Sequence, residues 1–316
     1  MKTKARQNSK ERKEAQMKHF SKIAVLLSVV LIVVLVGCSK ESSTEPEPKN
    51  DNEAIRWLIN ENPSYFSSQD HYGDEDTTGG KIGMFSPMVN YFWYREILPD
   101  PSISITIDIV GDSAYVSRSV EVDGILHLFL SDTFPPDTID EYTKNFTDTG
   151  KRYAIFKRIY SQNEDPLRRR GWRLVMLSGV EIISQGNTVQ VDSVRLNSSS
   201  YPDTLFTDPL ALFTKENTVT LTPEEKCSLT VYTDNDTAHV FLHSWMRHIQ
   251  HHRSQFKNIG NGVFTGVWYA PSDDPIATKT LHHVAFDMLS KGTLEDTLAA
   301  YDANAWLFPY VVNSSY

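Results

Sequence analysis

The stretch Ser102-Ile103-Ser104-Ile105-Thr106-Ile107-Asp108-Ile109-Val110-Gly111-Asp112-Ser113-Ala114-Tyr115-Val116 decides the fold class. Its isoleucines fall at every second position, the period at which side chains of an extended chain return to one face, so it reads as a strand with an apolar side and a polar side. Gly111-Asp112 then supplies the residues of a tight turn, and Ser113 to Val122 returns as a second strand. Asp123-Gly124 is read as another turn into Ile125 to Leu130. The expectation is an antiparallel meander, continued by strands at Arg152 to Tyr160 and Trp172 to Ile183 around a charged loop at 162–170.

Upstream, Glu53 to Ile59 has a helical pattern with Ile55, Leu58 and Ile59 on one face, Asp51 or Asn52 as cap and Pro63 as a stop. Ser67 to Gly80 is polar and acidic. Asp70, Asp74, Glu75 and Asp76 lack the alternating ligands and closing glutamate of a calcium loop, and read as a solvated charge run. A helix followed by a meander that ends in Tyr153-Ala154-Ile155-Phe156 and Gly171-Trp172-Arg173-Leu174 resembles the cone-shaped α+β family of nuclear transport factor 2 and SnoaL-like proteins. The resemblance covers about residues 51 to 186 and implies a helix plus a curved antiparallel sheet around an apolar pocket. Some members are enzymes, and many only bind or assemble.

After Gly186-Asn187 the pattern changes. Short strands are expected at Thr188 to Leu196, Thr218 to Leu221, Ser228 to Thr233, His239 to Trp245, Ser254 to Lys257, Gly262 to Tyr269 and Thr280 to Met288. Their near-regular spacing, with no helical periodicity between them, resembles an all-β immunoglobulin-like sandwich without the cysteine pair of antibody domains. Ala305 to Val312 is apolar enough to be packed. The expected division is 1–37 leader, 38–52 flexible tether, 53–186 cone-like α+β domain and 187–316 β-sandwich.

The leader reading comes from Leu35-Val36-Gly37-Cys38, which closes the apolar run beginning at Ile23 and precedes a polar tail. The run is shorter than the roughly 20 apolar residues of a spanning helix and suits a signal-peptide core. Those four residues resemble the bacterial lipobox. The resemblance implies lipidation of the Cys38 thiol, cleavage just before it, a palmitate-type membrane anchor and residence in the cell envelope, at the outer membrane if the source is Gram-negative, because Ser39 rather than an aspartate follows. Met17-Lys18-His19-Phe20-Ser21-Lys22 has the usual size of a signal start, so translation from Met17 is expected.

The chain carries 31 basic and 40 acidic side chains, a net charge of −9. Loss of residues 1–37 removes eight and two of these and leaves about −15. Such a surface repels nucleic acid and anionic lipid, so the expected partners are the membrane through covalent lipid, a protein or a small apolar ligand. Cys38 and Cys227 are the two cysteines. With Cys38 acylated no internal disulfide forms, and Cys227 reads as a small buried hydrophobe.

Candidate chemistry is sparse. His127 lies mid-strand, and with Tyr115 and Tyr153 it is the candidate ligand set of the cone pocket, or a base within it. Gly111-Asp112-Ser113 with Asp236-Thr237-Ala238-His239 resembles the two blocks of a lipase and esterase family. That family sets its serine between a parallel strand and a helix, whereas Ser113 leads into an alternating strand, so a hairpin turn explains the tripeptide better. His239, His243, His248, His251 and His252 contain possible zinc or copper ligands, with His243, His248 and His252 the candidates, but no Cys, Asp or Glu between Ala238 and Asn261 completes a site. A solvated basic loop is the competing reading. No cofactor fingerprint is present, and the favoured function is a non-catalytic envelope lipoprotein. The alternatives are an isomerase or hydrolase using the cone pocket, and a metal-binding sandwich through His239 to His252.

Overall fold

A computed structural model describes residues 48–67, 72, 89–133, 137–159, 169–246, 250–272 and 281–313. Strands dominate them, and the larger of two sheets is curled and antiparallel along its main path. The alternating stretch forms β2 (Ser102–Val110), which pairs with β3 (Ser113–Ser131) across a two-residue turn where Gly111 has φ +60°. That positive φ costs glycine little and other residues much, which is why the turn sits there.

Asp123-Gly124 does not turn. β3 runs through it for 19 residues and pairs along its length with β4 (Asp140–Arg158), from Ser113 opposite Lys157 to Leu130 opposite Asp140. Gly124 is there for close approach: a Cβ on it would lie 2.2 Å from the Phe146 ring and 2.7 Å from the Glu96 carbonyl oxygen. β1 (Val89–Ile97) pairs with the far half of β3.

The expected helix exists as α1 (Asp51–Glu61), but its cap is Asn50, whose side chain accepts from the Glu53 N–H. Asp51 and Asn52 therefore belong to the helix and not to a tether, and Asp51 bonds Arg158 and Arg170. Residues 38–47 lie outside the described residues. Ala54, Ile55, Leu58 and Ile59 bury their face against Ala114, Val116, Ala154, Phe156 and Trp172, each large side chain contributing roughly 1.5–3 kcal/mol. Pro63 starts a second short helix, α2 (Pro63–Phe66), where its missing N–H is harmless. Arg118 and Arg152, opposite each other on β3 and β4, take the Phe66 and Tyr65 carbonyls at its end.

The remaining strands are β5 (Trp172–Ser178), β6 (Val180–Ser184), β7 (Val191–Asn197), β8 (Thr204–Phe206), β9 (Leu212–Thr214), β10 (Val219–Leu221), β11 (Lys226–Thr233), β12 (His239–Met246), β13 (Gln250–Gln255), β14 (Lys257–Gly260), β15 (Val263–Tyr269), β16 (His282–Leu289) and β17 (Ala303–Val312), with α3 (Lys291–Glu295) before the last. The large sheet runs β1-β3-β4-β6-β17-β16-β12-β13, and the smaller runs β14-β15-β11-β7-β8. β10 lies parallel to β17.

The boundary expected at 186/187 does not separate two sheets. β6, before it, pairs with β17, the last described strand, and residues 48–316 form one compact unit. Ala305 to Val312, expected to be packed, lies within this central strand. On one face of β17 and β16, Trp306, Phe308, Tyr310 and Phe286 meet Leu196, Leu229, Phe264 and Trp268 of the smaller sheet, forming the principal apolar core.

The opposite face lines the inside of the curl. Its two ends approach each other: the Trp93 ring of β1 lies 5.2 Å from the Phe241 ring of β12, and the Arg253 guanidinium of β13 stands 3.7 Å over Trp93. Among the described residues, no helix is long and apolar enough to cross a membrane.

Candidate functional site

The inside of the curl holds an unusual concentration of buried polar groups. Arg95 projects from β1 between Trp93 and the sheet interior, and Asp287 projects from β16 between Ala285 and Leu289; both are at most 2% exposed. Two hydrogen bonds join them, Nη1 to Oδ2 at 2.8 Å and Nη2 to Oδ1 at 3.1 Å. A guanidinium matches a carboxylate in this forked geometry, which gives direction as well as charge. His243 of β12 adds a third element, its Nε2 lying 3.0 Å from Asp287 Oδ2.

Burial opposes ionisation of Asp287, but Arg95 and the His243 bond outweigh it and hold the carboxyl well below the usual carboxylate range. Burial pushes the His243 imidazole down against the pull of Asp287, with Arg253 and Arg95 acting in the same direction as burial. The ring therefore serves as a neutral donor at pH 7.

Asp148 of β4 completes the cluster. Its Oδ2 accepts from the Tyr72 hydroxyl at 2.9 Å and the Tyr301 hydroxyl at 3.2 Å. Burial raises its pKa to about 6, against the lowering effect of Arg95 and the two hydroxyls, while Asp287 adds to the rise. Burial, with the neighbouring Asp148, raises both tyrosines well above their ordinary value. The Arg95 guanidinium lies 5.8 Å and 5.5 Å from the centres of those two rings. Chemically, the arrangement can hold one proton on Asp148 near pH 6 and keep Asp287 ionised throughout the physiological range.

None of these groups was singled out by the sequence reading except His243. The available signal was Asp287 itself, an acidic residue inside the otherwise apolar run Val284-Ala285-Phe286-Asp287-Met288-Leu289. A charge there needs a partner of opposite sign if the run is a buried strand.

The expected ligand set does not converge. His127, Tyr115 and Tyr153 all project from the outward face of the β3–β4 ribbon, since the alternate residues Ala114, Val116, Leu126 and Leu128 are the buried ones. Tyr115 and Tyr153 are 50% and 40% exposed near one end of the ribbon, and His127 lies twelve residues from Tyr115, about 40 Å along an extended strand. His127 instead belongs to a strip with Phe92, Tyr94 and Phe129. The Tyr94 ring stacks on it at 4.5 Å, and its ring nitrogens lie 3.0 Å from Glu96 Oε2 and 2.7 Å from Glu141 Oε1.

Two of the candidate metal ligands fall wholly or partly outside the described residues: His248 entirely, and His252 in its side chain. His243 is committed to Asp287, and His239 to Glu295 and Gln255. No group of three or more His, Cys, Asp or Glu side chains placed to hold a metal occurs among the described residues. Ser113 begins β3 directly after the hairpin turn, as its sequence context indicated. Cys227 is fully buried in β11, and burial, with Glu225 nearby, pushes its thiol up to about 12. Cys38 lies outside the described residues. No protein-family model, curated protein or solved structure matches the chain.

Proposed function

We propose that the chain is an envelope lipoprotein, anchored through lipid on Cys38, whose β-rich body is a non-catalytic binding or interaction module. The anchor rests on Leu35-Val36-Gly37-Cys38 at the end of the apolar leader. One observation carries the binding reading. The polar groups inside the curl bond one another, while partly buried rings and the half-exposed carboxylates of Glu96 and Glu141 lie together on its outer face. An interior organised this way holds the fold together, which leaves recognition to the outer surface. The finer architectural kinships belong to the same proposal: a cone-like first half, supported by α1 on a curled ribbon, and an immunoglobulin-like second half, supported by two facing sheets.

Mass spectrometry of the protein recovered from membranes tests the anchor. The expected product begins at Cys38 with acyl chains on its sulfur, and Cys38→Ala releases the protein unacylated. A Cys38 thiol found free in membrane-derived protein removes the proposal's basis.

Asp148 supports a second reading, a small-molecule isomerase or hydrolase. A buried carboxyl that titrates near pH 6 beside two tyrosine hydroxyls has the properties of a general acid or base. A turnover measurement with Asp148→Asn decides it: activity on any substrate that vanishes in the variant favours the enzyme.

A further inference from the structure

β2 lies on an edge of the large sheet. It pairs with β3 on one side, and among the described residues no strand pairs with its other side. The hairpin fixes which backbone groups face that open side. Val110 and Ser113 flank a two-residue loop and bond each other, so bonding to β3 falls at Val110, Asp108, Thr106, Ser104 and Ser102. The N–H and C=O of Ile103, Ile105, Ile107 and Ile109 therefore point away from the sheet. One contact agrees with this: the exposed Arg56 of α1 donates from Nη2 to the Ile105 carbonyl at 3.1 Å.

Proteins guard such edges, because a row of outward backbone donors and acceptors is a template for another strand. The other edges here are guarded. β8 is three residues long, β14 is four residues long with an irregular register, and β1 is bulged between Asn90 and Phe92. β13 lies against β1 through Arg253 and Trp93. β2, by contrast, is nine residues long, keeps an unbroken register and contains no proline, lysine or arginine. Ile103 and Val110 near its two ends are 52% and 62% exposed.

The sequence of β2 suits itself as a partner. Laid antiparallel against a second copy about a two-fold axis through Thr106, it sets Ile105 opposite Ile107 and Ile103 opposite Ile109 of the other copy, and each pair bonds reciprocally through its outward backbone groups. On the other face Thr106 meets its own counterpart, and Asp108 meets Ser104, whose hydroxyl donates to the carboxylate. An axis at Asp108 would oppose two carboxylates, and an axis at Ser104 would leave Ile107 and Ile109 unpaired. One register therefore satisfies the whole strand. The isoleucines of both copies then make one apolar row, extending the cluster in which Ile105, Ile107 and Ile109 already pack near α1.

We propose that β2 is a self-association edge: two copies of this chain pair their β2 strands antiparallel across Thr106 and join their large sheets into one. This rests on the interaction-module reading and names a second copy as the partner; it does not depend on the anchor. Arg56 releases the Ile105 carbonyl when the second strand arrives, so it acts as the guard of this edge. The net charge of −9 opposes association only weakly, because β2 brings a single carboxylate to the contact and charges beyond a Debye length are screened.

Thr106→Cys in the full protein tests this. In a non-hydrogen-bonded antiparallel pair the Cα atoms lie about 4.5 Å apart, within reach of a disulfide. Mild oxidation in membranes links Thr106→Cys into a dimer on a non-reducing gel, whereas Ser117→Cys, opposite it on β3 and one strand further in, stays unlinked. The unsubstituted chain sets the background, since Cys227 is buried. Thr106→Lys opposes two ammonium groups on the axis and raises the dimer dissociation constant by about fivefold in sedimentation of the detergent-solubilised protein, less as salt rises. Arg56→Ala frees the Ile105 carbonyl and tightens the dimer by roughly fivefold. Thr106 and Arg56 are exposed, and circular dichroism verifies that each variant is folded.

No cross-link through Thr106→Cys, equal linking of Ser117→Cys, or a protein that sediments as a monomer at micromolar concentrations overturns the inference. So does a cross-link to a different protein in place of a second copy, because the edge would then serve a foreign strand. Lipid on Cys38 is read separately, so a lipidated protein that stays monomeric defeats this inference and leaves the anchor standing.

Discussion

Arg95 and Asp287 stand 192 positions apart in sequence and meet through two hydrogen bonds inside the curled sheet. They tie β1, at one end of the strand order, to β16, near the other end. The sheet's curvature brings them together, and their pairing in turn fixes how far the ends can separate. Removing one partner leaves a charge stranded in an apolar setting.

Arg95→Met is therefore expected to destabilise the fold by about 3–5 kcal/mol, and Asp287→Asn by a similar amount. The double variant should lose clearly less than the sum, because neither charge is then left alone. Urea unfolding of the three variants measures this. Additive losses would show that the pair is not a coupled unit.

Asp148 gives a pH dependence of defined sign. Its carboxyl titrates near 6 in the folded state against an ordinary 3.8, so the native chain holds this proton more tightly than the unfolded chain does. That contribution is complete below about pH 4 and is lost as pH rises through 6, an effect on the order of 2–3 kcal/mol. Asp148→Asn should flatten this part of the stability profile between pH 4 and 7 while keeping an acceptor for Tyr72 and Tyr301. An unchanged slope, measured by denaturation at several pH values, would place the proton elsewhere.

Gly124→Ala sets a methyl group against the Phe146 ring and the Glu96 carbonyl. The backbone oxygen cannot move away as a flexible side chain would. A loss of about 1–3 kcal/mol is expected from this overpacking, read from the thermal midpoint. Phe146→Leu in the same background should recover part of it.

Cys227 should be silent towards thiol reagents in the native protein, since it is fully buried and its thiol is pushed up to about 12. In denaturant it should react promptly. Titration with a chromogenic disulfide then gives one thiol per unfolded chain if Cys38 is acylated, and two if it is not.

The parts of the fold that were legible in sequence are those set by local periodicity. The apolar face Ile55, Leu58 and Ile59 reports the buried side of α1, and the isoleucine alternation reports the side of β2 that packs, where Ile105, Ile107 and Ile109 are partly buried while Ile103 stays 52% exposed. Gly124 misled because a glycine after an aspartate has the chemistry of a turn, and only Phe146, from a different strand, explains it. The division at 186/187 misled for a related reason: a change in strand spacing is visible along the chain, but the pairing of β6 with β17 is not. The site was least legible of all. Tyr72, Arg95, Asp148, His243, Asp287 and Tyr301 come from six separate segments, and no local pattern links them.

The position of β17 has a consequence for how the molecule is made. Ala303–Val312 lies between β6 and β16, so the middle of the large sheet is filled by the last described strand to be synthesised. Until it arrives, β6 and β16 expose unpaired edges and the inner wall of the curl is missing. Pairings of such long sequence separation make folding slow. A chain made from its amino end therefore cannot close the large sheet until this strand has emerged.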